Sequence, residues 1–153
     1  MRHDTLGELT PNGDSGDHTA TIPYGSRYIK VRIIPDDQAL ETTLNLAAGV
    51  MGRLQELDEA AKQVAVRDLC GTYNGGWNEY DEAQADGTFR SVTNPKLSQA
   101  EFEKKLSLNA INVTGDEMID FFYDDENMFW GHSVVVTSLR GADLSDARAE
   151  LFG

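Results

Sequence analysis

Cysteine and proline are scarce in this chain of 153 residues, which has one cysteine and four prolines. An internal disulfide is therefore excluded. Cys70 is expected to be a packed thiol rather than a nucleophile, because no histidine or basic residue adjoins it. Long apolar runs are missing too: no segment approaches the length of a membrane span, and the first residues lack the apolar core of a secretory signal. We therefore expect a cytoplasmic protein.

Basic residues are also few, with 13 Lys and Arg against 26 Asp and Glu and a formal charge of -13. This balance opposes attraction to phosphate backbones and anionic membranes, so neither direct nucleic-acid binding nor membrane binding is expected. A basic protein partner stays open. The hydrophobic and charged fractions, 40% and 25%, are close to globular averages. The sequence thus predicts one domain over 1–153, with 1–20 partly a loop or a mobile segment.

Motifs for metals, cofactors and nucleophilic catalysis are absent. The chain has three histidines, and its glycine-rich segment 71–76 matches neither the dinucleotide pattern nor the P-loop. It has no nucleophile elbow, and its acidic residues do not follow the spacing of a calcium loop. We predict no cofactor, no metal site and no catalytic residue, which favours a protein that is not an enzyme.

Apolar periodicity gives the clearest structural signals. Residues 28–34 alternate between apolar and polar side chains and predict a strand. Asp36 and Asp37 follow and are expected to cap the next helix. Helices are predicted over 40–57 and 59–69. The side chains expected to pack between these helices and the strand are Leu44, Ala47, Met51, Leu54, Val64, Ile29, Val31 and Ile33.

The remaining segments complete the predicted fold. Residues 11–17 are rich in turn formers and predict a surface loop. Ser98 and Glu101 form a capping box that begins a short helix over 99–106. Further strands are predicted over 108–113, 117–123, 129–139 and 147–152. Strands at both ends and helices in the middle predict an α+β fold, a mostly antiparallel sheet with two or three helices packed on one face.

A three-residue loop, 125–127, is expected to join the strands 117–123 and 129–139. This loop length fixes the register of the hairpin. In this register Asp120 lies opposite His132, and its carboxylate would raise the pKa of the imidazole. The expected pairs are Phe122 with Trp130, Asp120 with His132, and Phe121 with Gly131.

The sharpest electrostatic feature is a group of six acidic residues within 116–126 that has no compensating base. One interpretation is a solvated hairpin edge that like charges keep soluble. The other is an acidic surface that binds a basic partner. The residues predicted to contact that partner are Asp116, Glu117, Asp120, Asp124, Asp125 and Glu126.

Aromatic residues offer an alternative site. They could line a small-molecule pocket, although core packing is the commoner use of aromatic side chains at such spacing. The residues of this alternative pocket are Tyr73, Trp77, Tyr80, Trp130 and His132.

Several of these features together resemble the bacterial domain-of-unknown-function 2262 family. They include Leu6-Gly7, Asn74 with Trp77, and above all Phe129-Trp130-Gly131-His132 followed by a valine-rich segment. The resemblance spans most of the chain. It implies a small bacterial cytoplasmic domain and supplies no activity, cofactor or catalytic residue.

Small acidic α+β proteins of bacteria also resemble, in type, the immunity proteins of polymorphic toxin systems. The leading hypothesis is therefore a cytoplasmic protein-binding domain, of the immunity type, that occludes a basic toxin domain acting on nucleic acid or nucleotides. The alternative is a small-molecule-binding protein or enzyme with its pocket around Trp77, Trp130 and His132. The sequence predicts no oligomeric state.

Overall fold

A sheet of seven strands forms the framework of the protein, and the computed structural model describes all residues, 1–153. The whole chain has eleven strands, of which seven form this sheet. They are β1 Arg2–His3, β2 Gly7–Glu8, β3 Thr10–Pro11, β4 His18–Tyr24, β5 Arg27–Ile34, β6 Glu79–Ala83, β7 Phe89–Thr93, β8 Ser107–Thr114, β9 Met118–Asp124, β10 Ser133–Ser138 and β11 Arg148–Phe152. The helices are α1 Leu40–Gly52, α2 Leu54–Thr72 and α3 Gln99–Lys104, and a π-helical turn, Tyr73–Trp77, directly follows α2.

The large sheet has the strand order β11-β10-β9-β8-β5-β4-β3. Every neighbouring pair is antiparallel except β5 and β8. A parallel pair needs a long crossover, and here the crossover contains all three helices. Strands β1 and β2 pair separately, as do β6 and β7. The predicted α+β class, with a mostly antiparallel sheet, is confirmed.

The helices pack on the apolar face of this sheet. One row of buried side chains crosses six strands in register, and α1 and α2 contact the strands that carry it. The residues of this row are Ala20, Val31, Ile111, Phe121, Val136 and Ala149. The side chains that the sequence assigned to the interface are buried, apart from Met51, which is half-buried. Burial of this apolar surface is the main force that holds the layers together.

The predicted helix boundaries need correction. The break between α1 and α2 lies at Arg53, directly after Gly52, rather than at residue 58. Asp36 and Asp37 do not cap α1. The helix begins after Ala39, which makes no side-chain capping bond, because a turn closed by the Gln38 amide and the Pro35 carbonyl intervenes. The capping box of α3 is confirmed, with reciprocal bonds between Ser98 and Glu101.

The amino-terminal segment contributes more structure than the sequence predicted. Leu6 and Leu9 are buried in the core, and β4 forms an inner strand of the large sheet. Asp17 is also buried, and its Oδ2 accepts a hydrogen bond of 2.6 Å from Nη2 of Arg32 on β5. The sequence analysis did not predict β4. Its sequence contains Pro23, and its alternation of threonine with apolar residues gives only a small contrast in polarity between the two faces.

The predicted register of the β9–β10 hairpin is wrong. Strand β10 begins at Ser133, and Asp120 lies opposite Thr137, which donates a hydrogen bond of 2.6 Å to its carboxylate. Phe121 lies opposite Val136 and Phe122 opposite Val135. The segment 125–132 is an eight-residue loop that contains Trp130, Gly131 and His132, so none of the three expected pairs forms.

A buried polar group ties the helices to the sheet. The Asp58 side chain on α2 accepts hydrogen bonds of 2.7 Å from the hydroxyls of Tyr24 and Tyr123. The Lys62 ammonium lies 3.8 Å from its Oδ2. Burial, together with the Asp58 charge, raises the pKa of both phenols. The group joins α2 to β4 and β9, and each of its hydroxyls has a partner, as buried polar atoms require.

Candidate functional site

An open cleft lies at one end of the sheet, between two projecting segments. We call the hairpin of β6 and β7, residues 79–93, the arm, and the segment 125–132 the aromatic loop. The cleft between them has a volume of about 1030 Å³. The residues that line it are Glu79, Tyr80, Asp81, Ser91, Val92, Thr93, Asn94, Glu126, Asn127, Trp130 and Gly131.

The arm stands away from the main sheet. All residues of its two strands are exposed except Val92, which is half-buried. Its base is fixed at Asn78, which donates from Nδ2 to the Asn94 carbonyl at 3.0 Å and accepts from the Asn94 amide at 2.7 Å. Near its tip, Phe89 is 72% exposed. An isolated two-stranded hairpin is only marginally stable, so this arm relies on its base and on what contacts its faces.

A buried carboxylate organises the aromatic loop. Asp125 accepts hydrogen bonds from the amides of Asn127, at 3.0 Å, and Phe129, at 3.1 Å. Its side chain is buried, and burial raises the pKa of the carboxyl above its ordinary range, although the two amide bonds act in the opposite direction. Met128 and Phe129 anchor the loop in the core. The loop is therefore a defined structure, not a loose connection.

Trp130 combines backbone strain with exposure. Its φ is +53°, in the left-handed region that bulky L-residues rarely adopt, and its side chain is 51% exposed. Glu126 and Asn127 share this conformation, with φ of +53° and +62°. Each such residue costs on the order of 1 kcal/mol relative to ordinary backbone. This strain is not offset by full burial of Trp130, since the residue remains half-exposed.

The aromatic pocket predicted from the sequence is mostly a packed cluster. Tyr73 is buried, with its ring edge-on to Phe129 at 5.9 Å between centroids, and it does not line the cleft. Trp77 contacts Phe129, Trp130 and His132, with centroid distances of 5.4, 5.1 and 5.4 Å. Tyr80 and Trp130 are brought together on the cleft. The cluster thus supports the indole of Trp130 from behind.

His132 lies behind Trp130 rather than in the main cleft. Its Nδ1 is 2.8 Å from the Phe129 carbonyl, and because a carbonyl only accepts, the proton resides on Nδ1. The ring borders a smaller cavity of about 300 Å³ beside Asp124 and Asp125. No base or nucleophile hydrogen-bonds to His132, so the geometry gives the imidazole a structural role in the loop.

The six acidic residues of the predicted partner surface do not form one patch. Asp116 and Glu117 lie at the β8–β9 turn, whereas Asp124 and Glu126 lie at the opposite end of β9. The carboxylates of the other two acids already have partners within the chain: Asp120 accepts a hydrogen bond from Thr137, and Asp125 accepts one from the Asn127 amide in the aromatic loop. Glu126 alone of the six lines the cleft, where its Oε2 is 3.7 Å from the Lys105 ammonium.

Glu79 and Asp81 on the arm were not among the predicted site residues. They line the same cleft as Glu126 and Trp130, so residues that carry three carboxylates and two aromatic rings border one open space. The signal in the sequence was the stretch from Trp77 to Glu82, which interleaves aromatic and acidic residues. The sequence alone does not show that this stretch belongs to a site, because only the fold places the arm beside the aromatic loop.

The donor set of the cleft suits an organic cation. Carboxylates attract positive charge, and indole and phenol rings stabilise a cation over their faces. The structure contains no group of three or more His, Cys, Asp or Glu side chains arranged to hold a metal ion. No helix is both long and apolar enough to span a bilayer.

Comparison with known proteins gives a single result. A family model described as an uncharacterized protein conserved in bacteria, DUF2262, matches residues 3–148. No curated protein and no solved structure matches the chain. The match covers both the arm and the aromatic loop.

Proposed function

The chain belongs to the DUF2262 family of uncharacterized bacterial proteins, and we propose that it is a protein-binding domain whose cleft receives a cationic side chain of a partner. The observation that carries this proposal is Trp130. Trp130 is strained and half-exposed, and it lines the same cleft as the acidic residues Glu79 and Asp81. Backbone strain of this kind is retained where function uses it.

The chemistry of the cleft favours a guanidinium over other cations. Its planar group stacks on an aromatic face and at the same time donates hydrogen bonds to a carboxylate. A contact of this kind contributes about 0.5 to 2 kcal/mol through the ring alone. Glu79, Asp81 and Glu126 supply acceptors on both walls, while Trp130 and Tyr80 supply the rings. An arginine on a basic partner would stack on Trp130 and donate to a carboxylate of the cleft.

Net charge supports a basic protein as the source of that arginine. The formal charge of -13 speeds encounter with a positively charged surface and disfavours acidic competitors. Within this proposal, the partner that we favour is a toxin domain whose basic surface acts on nucleic acid or nucleotides, which this protein would occlude. Such an encounter would take place in the cytoplasm, where a lone unpaired cysteine such as Cys70 is usual.

A short arginine-rich peptide tests the cleft directly. We expect its addition to change the fluorescence of Trp130 and to shift the backbone amide signals of the arm and the aromatic loop. A peptide with citrulline in place of arginine keeps the shape and removes the charge, so it should bind about tenfold more weakly or not at all.

Two variants with matched charge separate the cleft from general attraction. The first carries Glu79→Gln, Asp81→Asn and Glu126→Gln. The second carries Asp14→Asn, Asp116→Asn and Glu117→Gln, which removes the same charge from exposed positions elsewhere. Loss of peptide binding in the first variant alone supports the proposal. Equal losses in both variants, or equal binding of the citrulline peptide, would contradict it.

A small organic cation is the second candidate, because Trp130 also borders a cavity of about 430 Å³ with Trp77 and the glycines of the π-helical turn. A free guanidinium or quaternary ammonium compound would then bind as tightly as the peptide. Binding of the peptide alone favours the protein partner, since only a peptide reaches both the arm and the aromatic loop.

A further inference from the structure

Strand β11 ends the large sheet and has only β10 as a neighbour. Edge strands present amide and carbonyl groups that pair readily with other chains, and natural proteins usually protect them. The opposite edge is protected by its shortness, since β3 has two residues and one of them is Pro11, which has no amide hydrogen. Strand β11 is longer, with five residues, and contains no proline.

Two side chains of α2 protect this edge instead. The Arg67 guanidinium and the Asp68 carboxylate form a two-pronged pair, with distances of 2.7 and 3.0 Å. Nη2 of Arg67 also donates to the Ala147 carbonyl at 2.8 Å, and Oδ2 of Asp68 accepts from the Ala149 amide at 2.9 Å. The pair thus supplies one donor and one acceptor to the edge, as a neighbouring strand would.

The edge beneath this pair is complementary to itself. Because the Ala149 amide points away from β10, an antiparallel second copy could exchange hydrogen bonds at Ala149 across a two-fold axis. In that register Arg148 lies opposite Glu150 of the second copy, twice, and Ala147 lies opposite Leu151. Arg148 and Glu150 are both exposed, and neither takes part in an ion pair within the chain.

We infer that β11 can pair with β11 of a second copy of this chain, and that Arg67 and Asp68 prevent this pairing by occupying the edge. The inference is independent of the cleft, which lies on other elements. Opposite charges directly across an antiparallel pair stabilise it, and the exchanged backbone bonds fix its register. Pairing requires the two side chains to leave the Ala147 carbonyl and the Ala149 amide.

The experiment is sedimentation velocity over a range of concentrations on the wild type and on the double variant Arg67→Ala, Asp68→Ala. We expect the double variant to self-associate about tenfold more tightly or more, while the wild type stays monomeric at the same concentrations. Circular dichroism checks that the variant is folded. If the double variant is unstable, Arg67→Ala alone leaves Asp68 on the Ala149 amide and is expected to shift in the same direction.

Charge variants test the register. Added to the double variant, Glu150→Lys places a lysine opposite Arg148 and should reverse the gain in association. The swap Arg148→Glu with Glu150→Arg restores opposite charges and should recover it. The control is Arg53→Ala with Glu56→Ala, which removes an exposed ion pair from the start of α2. A folded double variant that stays monomeric, a wild type already paired through β11, or association indifferent to Glu150→Lys would overturn the inference.

Discussion

The middle of the sheet and the end that carries the cleft differ in backbone strain and in the burial of their aromatic side chains. In the middle, apolar side chains face the helices in register, and the Asp58 group gives each buried hydroxyl a partner. At the cleft end, three of the four non-glycine residues with positive φ lie in one loop, and Tyr80, Phe89 and Trp130 are exposed. Local conformation agrees with packing in the first region and conflicts with it in the second, a pattern typical of functional sites.

Phe129 joins the two regions. It is fully buried, its backbone amide donates to Asp125, and its ring contacts Tyr73, Trp77 and Phe102. Through these contacts the core holds the strained conformation of the residue that follows, Trp130. The two regions are therefore distinct in their energetics but mechanically connected at one side chain.

The largest effect is expected for Phe129→Ala, which should break the connection between the two regions. Truncating a buried phenylalanine removes apolar burial and leaves a cavity, at a cost of about 3 to 5 kcal/mol in the free energy of unfolding. Chemical denaturation measures this cost. The aromatic loop should also lose its order, which faster exchange of its amide hydrogens would report. Trp130→Ala is the control, and it should change stability far less because its side chain is half-exposed.

A smaller effect is expected for Asp58→Ala, which alters the middle of the sheet and spares the cleft. Removing the carboxylate leaves the hydroxyls of Tyr24 and Tyr123 without that acceptor, at a cost of about 3 kcal/mol. The variant also loses the negative charge that helps to raise the pKa of both phenols. Tyr24 and Tyr123 should therefore ionise at lower pH than in the wild type, which ultraviolet absorbance would show in the part of the titration that follows the exposed tyrosines.

Asp58→Asn keeps an acceptor and removes the charge, so it separates the two contributions. Its stability should lie between those of the wild type and Asp58→Ala, while its tyrosine titration should resemble that of the alanine variant. Peptide binding at the cleft should be unchanged in both. A cleft that fails to bind in a folded Asp58→Asn variant would show that the two regions are not separable.

The sequence predicted the middle of the sheet well for a physical reason. Strand β5, helix α1 and the α3 capping box depend on spacing within one segment, and the buried face that they share has a regular period. The sequence did not predict the Asp58 group because Tyr24, Asp58 and Tyr123 lie far apart in the chain. Strand β4 escaped because the pattern of its side chains is too weak to distinguish it from a loop.

The cleft end was predicted in composition but not in geometry. Phe129, Trp130 and Gly131 were assigned to a strand because aromatic residues favour strands, yet positive φ at Trp130 and Gly131 ends any extended run. That conformation follows from contacts of Asp125 and Phe129 with the loop and core, which local propensity does not include. Only the fold brings the arm beside Glu126, so the cleft itself could not be foreseen.

The smallest expected effect is the contribution of Asp125 to the pH dependence of the free energy of unfolding. It tests whether the aromatic loop, unlike the middle of the sheet, contains a carboxyl whose ionised form is destabilised by folding. Burial raises the pKa of this carboxyl in the folded state, so between its unfolded and folded pKa values the folded protein binds more protons than the unfolded chain. The contribution of Asp125 to stability is therefore most favourable at low pH, and part of it is lost as pH rises through the folded pKa.

Comparing wild type with Asp125→Asn isolates this contribution, because the other carboxyls titrate in both proteins. The asparagine variant should be less stable throughout, since its one carbonyl oxygen replaces two carboxylate acceptors for the amides of Asn127 and Phe129. Its deficit relative to wild type should grow as pH is lowered from about 7 to about 4. Urea denaturation at several pH values measures the difference, and Asp124→Asn controls for the loss of one charge. A deficit that shrinks toward low pH would mean that the amide bonds outweigh burial, and that the aromatic loop stabilises the ionised carboxylate instead of straining it.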